Sequence, residues 1–240
     1  MTNATARFDV LPKDRLLAEF SLWSADLIRL ADDVARSEGQ ADVLHVDVAD
    51  GHFAPAFLFF PDQVARVRAV TNLPIHVHLM VDDAILIEQI RQFAEAGADI
   101  ISIHVENRSL VDEGLALIAE LGCVPGVVLR VETPVEEAAP LLDRVGFLTL
   151  LGTAIGVKGQ SLSETATGRL EVARRLIAEV GQGRRIVLAA DGGIREHTVP
   201  LLRAAGAETV VMGSLAYGAP DLAARIAWVR GLPAPEALAS

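Results

Sequence analysis

From about residue 16 the chain alternates short apolar runs with longer amphipathic stretches, and it does so eight times. The runs at 17–22, 43–48, 75–80, 100–104, 126–131, 147–151, 186–190 and 209–212 are strand-sized and largely apolar, the pattern of strands buried on both faces. Between them lie helical patterns such as 85–96, 111–121, 135–145, 170–180 and 197–205, each followed by a glycine: Gly97, Gly122, Gly146, Gly181 and Gly206. Strands alternating with helices predict a parallel sheet, and eight such units in about 220 residues fit a (β/α)8 barrel. An open doubly wound sheet is the competing architecture, but no Gly-x-Gly-x-x-Gly follows the first strand. Ser21, His45, Asp47, His78, Glu106, Asp191 and Ser214 all fall at or just past strand ends, which in a closed barrel converge on one mouth. The expectation is a single-domain (β/α)8 TIM barrel over residues 16–230, with an extension at 1–15 before it and a loose tail at 231–240 after it.

Composition narrows the function classes. A net charge of −11 without a cluster of Lys and Arg argues against nucleic acid, so any phosphate site must be small and local. The apolar runs stay far below the roughly 20 residues that span a bilayer, and residues 1–15 lack the continuous apolar core of a secretory signal. A soluble, cytoplasmic protein is expected, with no membrane partner. Cys123 is the one cysteine, which excludes an internal disulfide; it reads as a small apolar side chain near a helix-to-strand turn.

The chemistry concentrates at His45-Val46-Asp47. Alternate residues of a strand point the same way, so His45 and Asp47 reach one site together. His78, from His76-Val77-His78, and Asp191, from Asp191-Gly192-Gly193, are placed to join them, and two imidazoles with two carboxylates suit a divalent metal. Zinc fits that donor set best, with iron(II), manganese and cobalt also compatible. His76 lies one pleat deeper and is expected inside the barrel, His104 and Glu106 behind the ligands, and Asp50 and Gly51 in the turn after strand two. Three glycine segments suit a phosphate: Gly156 to Gly159, Gly192-Gly193, and Gly213-Ser214. A nucleophilic Ser or Cys has no activating motif here.

These segments, with Phe20-Ser21-Leu22-Trp23-Ser24-Ala25-Asp26, His78-Leu79-Met80-Val81 and His104-Val105-Glu106, resemble the ribulose-phosphate 3-epimerase family over about residues 16–230. The resemblance implies a metal-dependent isomerase that epimerises a ketose phosphate at C3, by default D-ribulose 5-phosphate to D-xylulose 5-phosphate. His45, Asp47, His78 and Asp191 would hold the metal, Asp47 and Asp191 would act as acid and base, and Ser21 and Met80 would line the pocket. Its partners are then a small sugar phosphate and further copies of itself in a homo-oligomer. The chain departs from the family's pattern at Ala49 and Leu151, where methionine is usual, at Ala56 for asparagine, at His76 for aspartate, and at Ile155-Gly156-Val157-Lys158-Gly159-Gln160 for Pro-Gly-Phe-Gly-Gly-Gln. The lysine of the Asp-x-Lys-x-x-Asp pattern in related decarboxylating barrels is absent, Ala49 standing in its place. The departures leave room for a sister activity on another ketose phosphate, such as allulose 6-phosphate or a tetrulose phosphate. A non-catalytic sugar-phosphate binding barrel is the reading from outside the enzymes. Ala49 in particular is expected to leave space that a methionine would fill.

Overall fold

Apolar strands that must be covered on both faces find cover in a barrel, by helices outside and by one another within. The computed structural model describes residues 4–181 and 183–237, so the outermost residues of the expected extension and tail lie outside it. Strands β1 (Leu17–Ser21), β2 (Val43–Ala49), β3 (Ile75–Met80), β4 (Ile100–His104), β5 (Val124–Leu129), β6 (Phe147–Leu151), β7 (Val187–Asp191) and β8 (Thr209–Met212) pair in parallel and in chain order, and β8 closes on β1. Helix α1 (Ala4–Asp9) precedes them; α2 (Leu30–Ser37), α3 (Pro61–Arg68), α4 (Asp83–Glu95), α5 (Val111–Glu120), α6 (Ala166–Val180), α7 (Val199–Ala204), α8 (Ser214–Tyr217) and α9 (Leu222–Arg230) follow in turn. Among the described residues no helix is long and apolar enough to cross a membrane.

The two-residue period of the strands sorts their side chains into an outer and an inner set. Leu44, Val46, Val48, Val77, Leu79, Ile101 and Ile103 belong to the main core beneath the helices, with Leu86, Ile90, Phe93 and Ile118. The residues between them face inward in layers. The lowest layer, with Leu17, Val43, Ile100, Val124, Phe147 and Val187, is a separate apolar cluster that Phe8 and Leu11 of the N-terminal segment close from below. Burying a ring such as Phe8 contributes roughly 1.5–3 kcal/mol, and Arg185 fastens the segment through the carbonyls of Phe8 and Leu11. The next layer up, Glu19, His45, His76, Ser102 and Thr209, is polar yet fully buried. Ser21, Asp47, His78, His104 and Asp191 stand above it, toward the mouth.

Local differences from the sequence reading have physical causes. β5 begins at Val124, so Gly126 lies inside the strand instead of opening it. A side chain there would place Cβ 2.0 Å from Ser102 Oγ, and the bare glycine is what lets β5 pass β4 at that layer. The helix expected at 135–145 is a 3-10 turn, Val135–Leu141, because Pro140 removes a backbone donor and crowds the preceding turn. The tail lies along α6, with Arg174 bonded to the Glu236 carbonyl and Leu232 packed on the core.

Candidate active site

The ladder register assembles the site. Pairing of β2 with β3 sets Asp47 beside His78 and His45 beside His76, and β6 with β7 sets Leu151 beside Asp191. β2 and β7 are separated by β8 and β1 around the barrel, so Asp47 and Asp191 approach from different sides. His45, Asp47, His78 and Asp191 each offer a ligand atom, all within 4.8 Å of one another. Asp47 Oδ1 lies 3.2 Å from His45 Nε2 and 3.5 Å from His78 Nδ1, while Asp191 Oδ2 lies 3.9 and 3.7 Å from the same nitrogens.

This donor set fits a divalent cation on a second count. His78 Nδ1 is buried and has no hydrogen-bond partner, although it faces two carboxylates. An orphaned buried nitrogen costs about 1–3 kcal/mol, and an ion among the four groups would satisfy it. The buried cluster can therefore hold a metal ion. Glu19, His45 and His76 also lie close enough together to form a ligand set, but their polar atoms are already spent on one another.

Electrostatics separates the two aspartates. Burial pushes Asp47 up, but the charges of His45 and His78 and the bonds with them outweigh it and hold the carboxyl well below the usual range. Burial pushes Asp191 up to about 6, with His45 opposing and the Asp47 charge assisting. Ser21 Oγ donates to Asp47 Oδ2 at 2.8 Å, which marks the carboxylate edge turned toward the cavity. His45 is drawn well above its ordinary value because Asp47 and Glu19 outweigh its burial.

Behind the four clustered residues the protein is polar and closed. Glu19 Oε1 accepts from His45 Nδ1 at 2.7 Å and from His76 Nδ1 at 2.6 Å, and Ser102 Oγ meets His76 Nε2 at 2.7 Å. Burial would raise the Glu19 carboxyl, but the charge of His76 and the bonds from both imidazoles hold it well below the usual range. On the other side His78 Nε2 meets His104 Nε2 at 2.9 Å, and His104 Nδ1 donates to Glu106 at 2.8 Å. Burial brings His104 down to about 4 despite that carboxylate; Glu106, pushed up by burial, is brought down to about 2 by His104, Thr133 and the Arg130 amide. His76 is thus inside the barrel and His104 and Glu106 behind His78, while Glu19 and Ser102 are what the sequence reading missed. Only the isolated acid within Leu17-Ala18-Glu19-Phe20 could have signalled the first. The rings form one column, Phe8, Phe147, His76, His45, His78, His104, Phe53, with successive centroids 4.7 to 5.9 Å apart.

A cavity of about 330 Å³ opens above the column. Asp47, His78 and Asp191 line its floor, and Ser21, Met80, Gly156, Gly159, Gly192, Gly193, Gly213 and Ser214 line it too. Gly192 and Gly193 have φ of +89° and +69°, and side chains there would strike Thr153 and Leu162, so only glycine turns the chain so tightly out of β7. Lys158 and Arg195 add two cations to the wall. Lys158 Nζ is 4.6 Å from the Trp23 ring centroid and bonded to the Trp23 carbonyl. Asp50 shapes the turn after β2 through the amides of His52 and Phe53 at 2.8 Å each. Leu151 lines the cavity, but Ala49 does not leave the space expected of it: it packs against Ala54 and Met80, under Phe53 and Ile155.

Fold and site together define a barrel enzyme whose mouth carries a buried His/Asp cluster able to hold a metal ion, beneath a cavity lined in part by glycines. The model of the ribulose-phosphate 3 epimerase family matches residues 17–217, and the chain belongs to that family. By this homology it is an isomerase, a sugar-phosphate 3-epimerase in function. It is 36% identical to ribulose-phosphate 3-epimerase of Bacillus subtilis over 88% of this chain and 96% of that protein. It is 38% identical to ribulose-phosphate 3-epimerase 1 of Cupriavidus necator, over 84% of each. Among solved structures, 3-keto-L-gulonate-6-phosphate decarboxylase from Vibrio cholerae shares the barrel, with a TM-score of 0.66 at 17% identity over 90% of this chain and 99% of that one.

Proposed function

We propose that the enzyme interconverts D-ribulose 5-phosphate and D-xylulose 5-phosphate by two-base proton transfer, with one divalent ion, zinc by its donor set, held by His45, Asp47, His78 and Asp191. The observation that carries this reading is the meeting of those four ligand atoms, within 4.8 Å, on the floor of a cavity that both aspartates line. Inverting a carbon beside a ketone requires removing its proton from one face and returning one to the other. In this reading Asp47 and Asp191, coming from β2 and β7, stand on those two faces. Each turns one oxygen toward the imidazoles and keeps the other for the substrate, with Ser21 orienting that of Asp47. The separation of their acidities suits one to carry a proton while the other accepts. When bound, the ion supplies positive charge that offsets the negative charge developing on the substrate oxygens.

The phosphate is assigned to the end lined by Gly156, Gly159, Gly192, Gly193, Gly213 and Ser214, with Lys158 and Arg195 adding charge; Met80 and Leu151 flank the sugar. A cytoplasmic location and a homo-oligomer complete the reading, the exposed rings of Phe57 and Phe60 offering apolar surface for assembly.

Turnover of four- to six-carbon ketose phosphates in deuterium oxide tests the reaction. D-ribulose 5-phosphate is expected to be the best substrate, with solvent deuterium at C3 of the product. Epimerisation without deuterium at C3 would sink the two-base assignment, and preference for another sugar would move the substrate. Zinc affinity should fall with pH. Below about 6 Asp191 carries a proton, His45 holds one to higher pH, and the ion must displace both. The expected slope is about tenfold per pH unit for each proton displaced, and a chelator-competition titration that stays flat from pH 8 to 5.5 would contradict the ligand set.

A further inference from the structure

Both imidazoles of the metal set are gripped from behind, and by opposite nitrogens. A carboxylate only accepts, so Glu19 Oε1, at 2.7 Å from His45 Nδ1, requires the proton on that nitrogen and leaves Nε2 as the one atom able to offer a lone pair. For His78 the constraint passes through a second ring. Glu106 requires the proton on His104 Nδ1, so His104 Nε2 is an acceptor, and the 2.9 Å contact is a bond only if His78 carries its proton on Nε2. Reversing that tautomer would set two lone pairs against each other in a fully buried space. Glu106 cannot yield, since the Arg130 amide and the Thr133 hydroxyl hold its other oxygen.

We propose that Glu19 and the His104–Glu106 pair are positioning residues that lock the two histidine ligands in opposite tautomers, so that His45 presents Nε2 and His78 presents Nδ1 to one divalent ion. The inference rests on the ligand set of the proposed function and adds what keeps that set in order. It accounts for the orphaned His78 Nδ1 and for a fully buried acid in β1 that lines no part of the cavity. His76 belongs to the same device: it shares Glu19 Oε1 and ties it to Ser102, which fixes the carboxylate.

The test is zinc affinity of the full-length chain, by competition with a chromophoric chelator, together with histidine tautomers of the zinc-loaded protein read from two-bond nitrogen–proton NMR correlations. Glu19→Leu and His104→Phe are expected to weaken zinc about 10–100-fold. Glu19→Gln, which keeps an acceptor oxygen for both rings and turns its amide toward Thr209 Oγ1, should recover most of the loss. In the wild type the protons should sit on His45 Nδ1 and His78 Nε2. A merely structural role would lower the melting temperature of the ion-free variants while leaving zinc affinity and tautomers as they were. Zinc affinities within about twofold of wild type in folded Glu19→Leu and His104→Phe, or either wild-type tautomer reversed, would overturn the inference alone. A wild type that takes up no zinc overturns the ligand set itself. Should the variants fail to fold, the wild-type tautomers decide.

Discussion

Asp191→Asn is expected to fold like the wild type and to turn over at least about a hundredfold more slowly, the usual lower scale for losing a general acid or base. The substitution is isosteric at the end of β7, where the side chain is partly open to the cavity, so it disturbs no packing. What it removes is the proton-accepting oxygen and one negative charge facing His45 and His78. The measurement is kcat at saturating metal and substrate, with circular dichroism as the control on folding. A folded variant that keeps more than a tenth of the wild-type rate would remove Asp191 from the acid–base pair.

The second large effect is expected at His78. If His78 is one of the four proposed ligands, His78→Ala should cost most of the bound metal and with it the activity. It also strips His104 Nε2 of its donor, leaving a buried acceptor unpaired. Metal content of protein purified without chelator, set against wild type, checks this. Full occupancy together with full activity would show that His78 is not a ligand. Melting curves give a further sign: an ion that binds only the folded chain raises its stability, and that increment should vanish in the variant.

The barrel was legible because its repeat is long and its period clear; eight apolar runs separated by helical patterns admit few closed arrangements. The meeting of the four clustered residues was legible for a related reason, since His45 and Asp47 share a strand face and a strand end. Boundaries were harder where a residue type carried a misleading signal. Gly126 reads as opening a strand, yet it lies within β5, where its missing side chain is what the crowded barrel interior requires. Pro140 sits in a helical pattern that its ring then spoils. Glu19 was passed over because sequence alone does not say which way an acid in an apolar strand points, and its partners His45 and His76 lie on two other strands. Ala49 misled in the opposite sense: the space beside it is taken by Ala54 from the loop after β2, a contact that no local pattern announces.

The ring column also dictates an order of events. Glu19, His45 and His76 have no exposed surface, and Phe147 and Phe8 stop the barrel beneath them, so among the described residues the His/Asp cluster meets solvent on the cavity side. A vessel with one opening fills from the bottom. On the proposed reading, an ion destined for these four residues would have to arrive before the sugar, and with the sugar across the mouth neither the ion nor a proton held on the aspartates would have another way out until product departs.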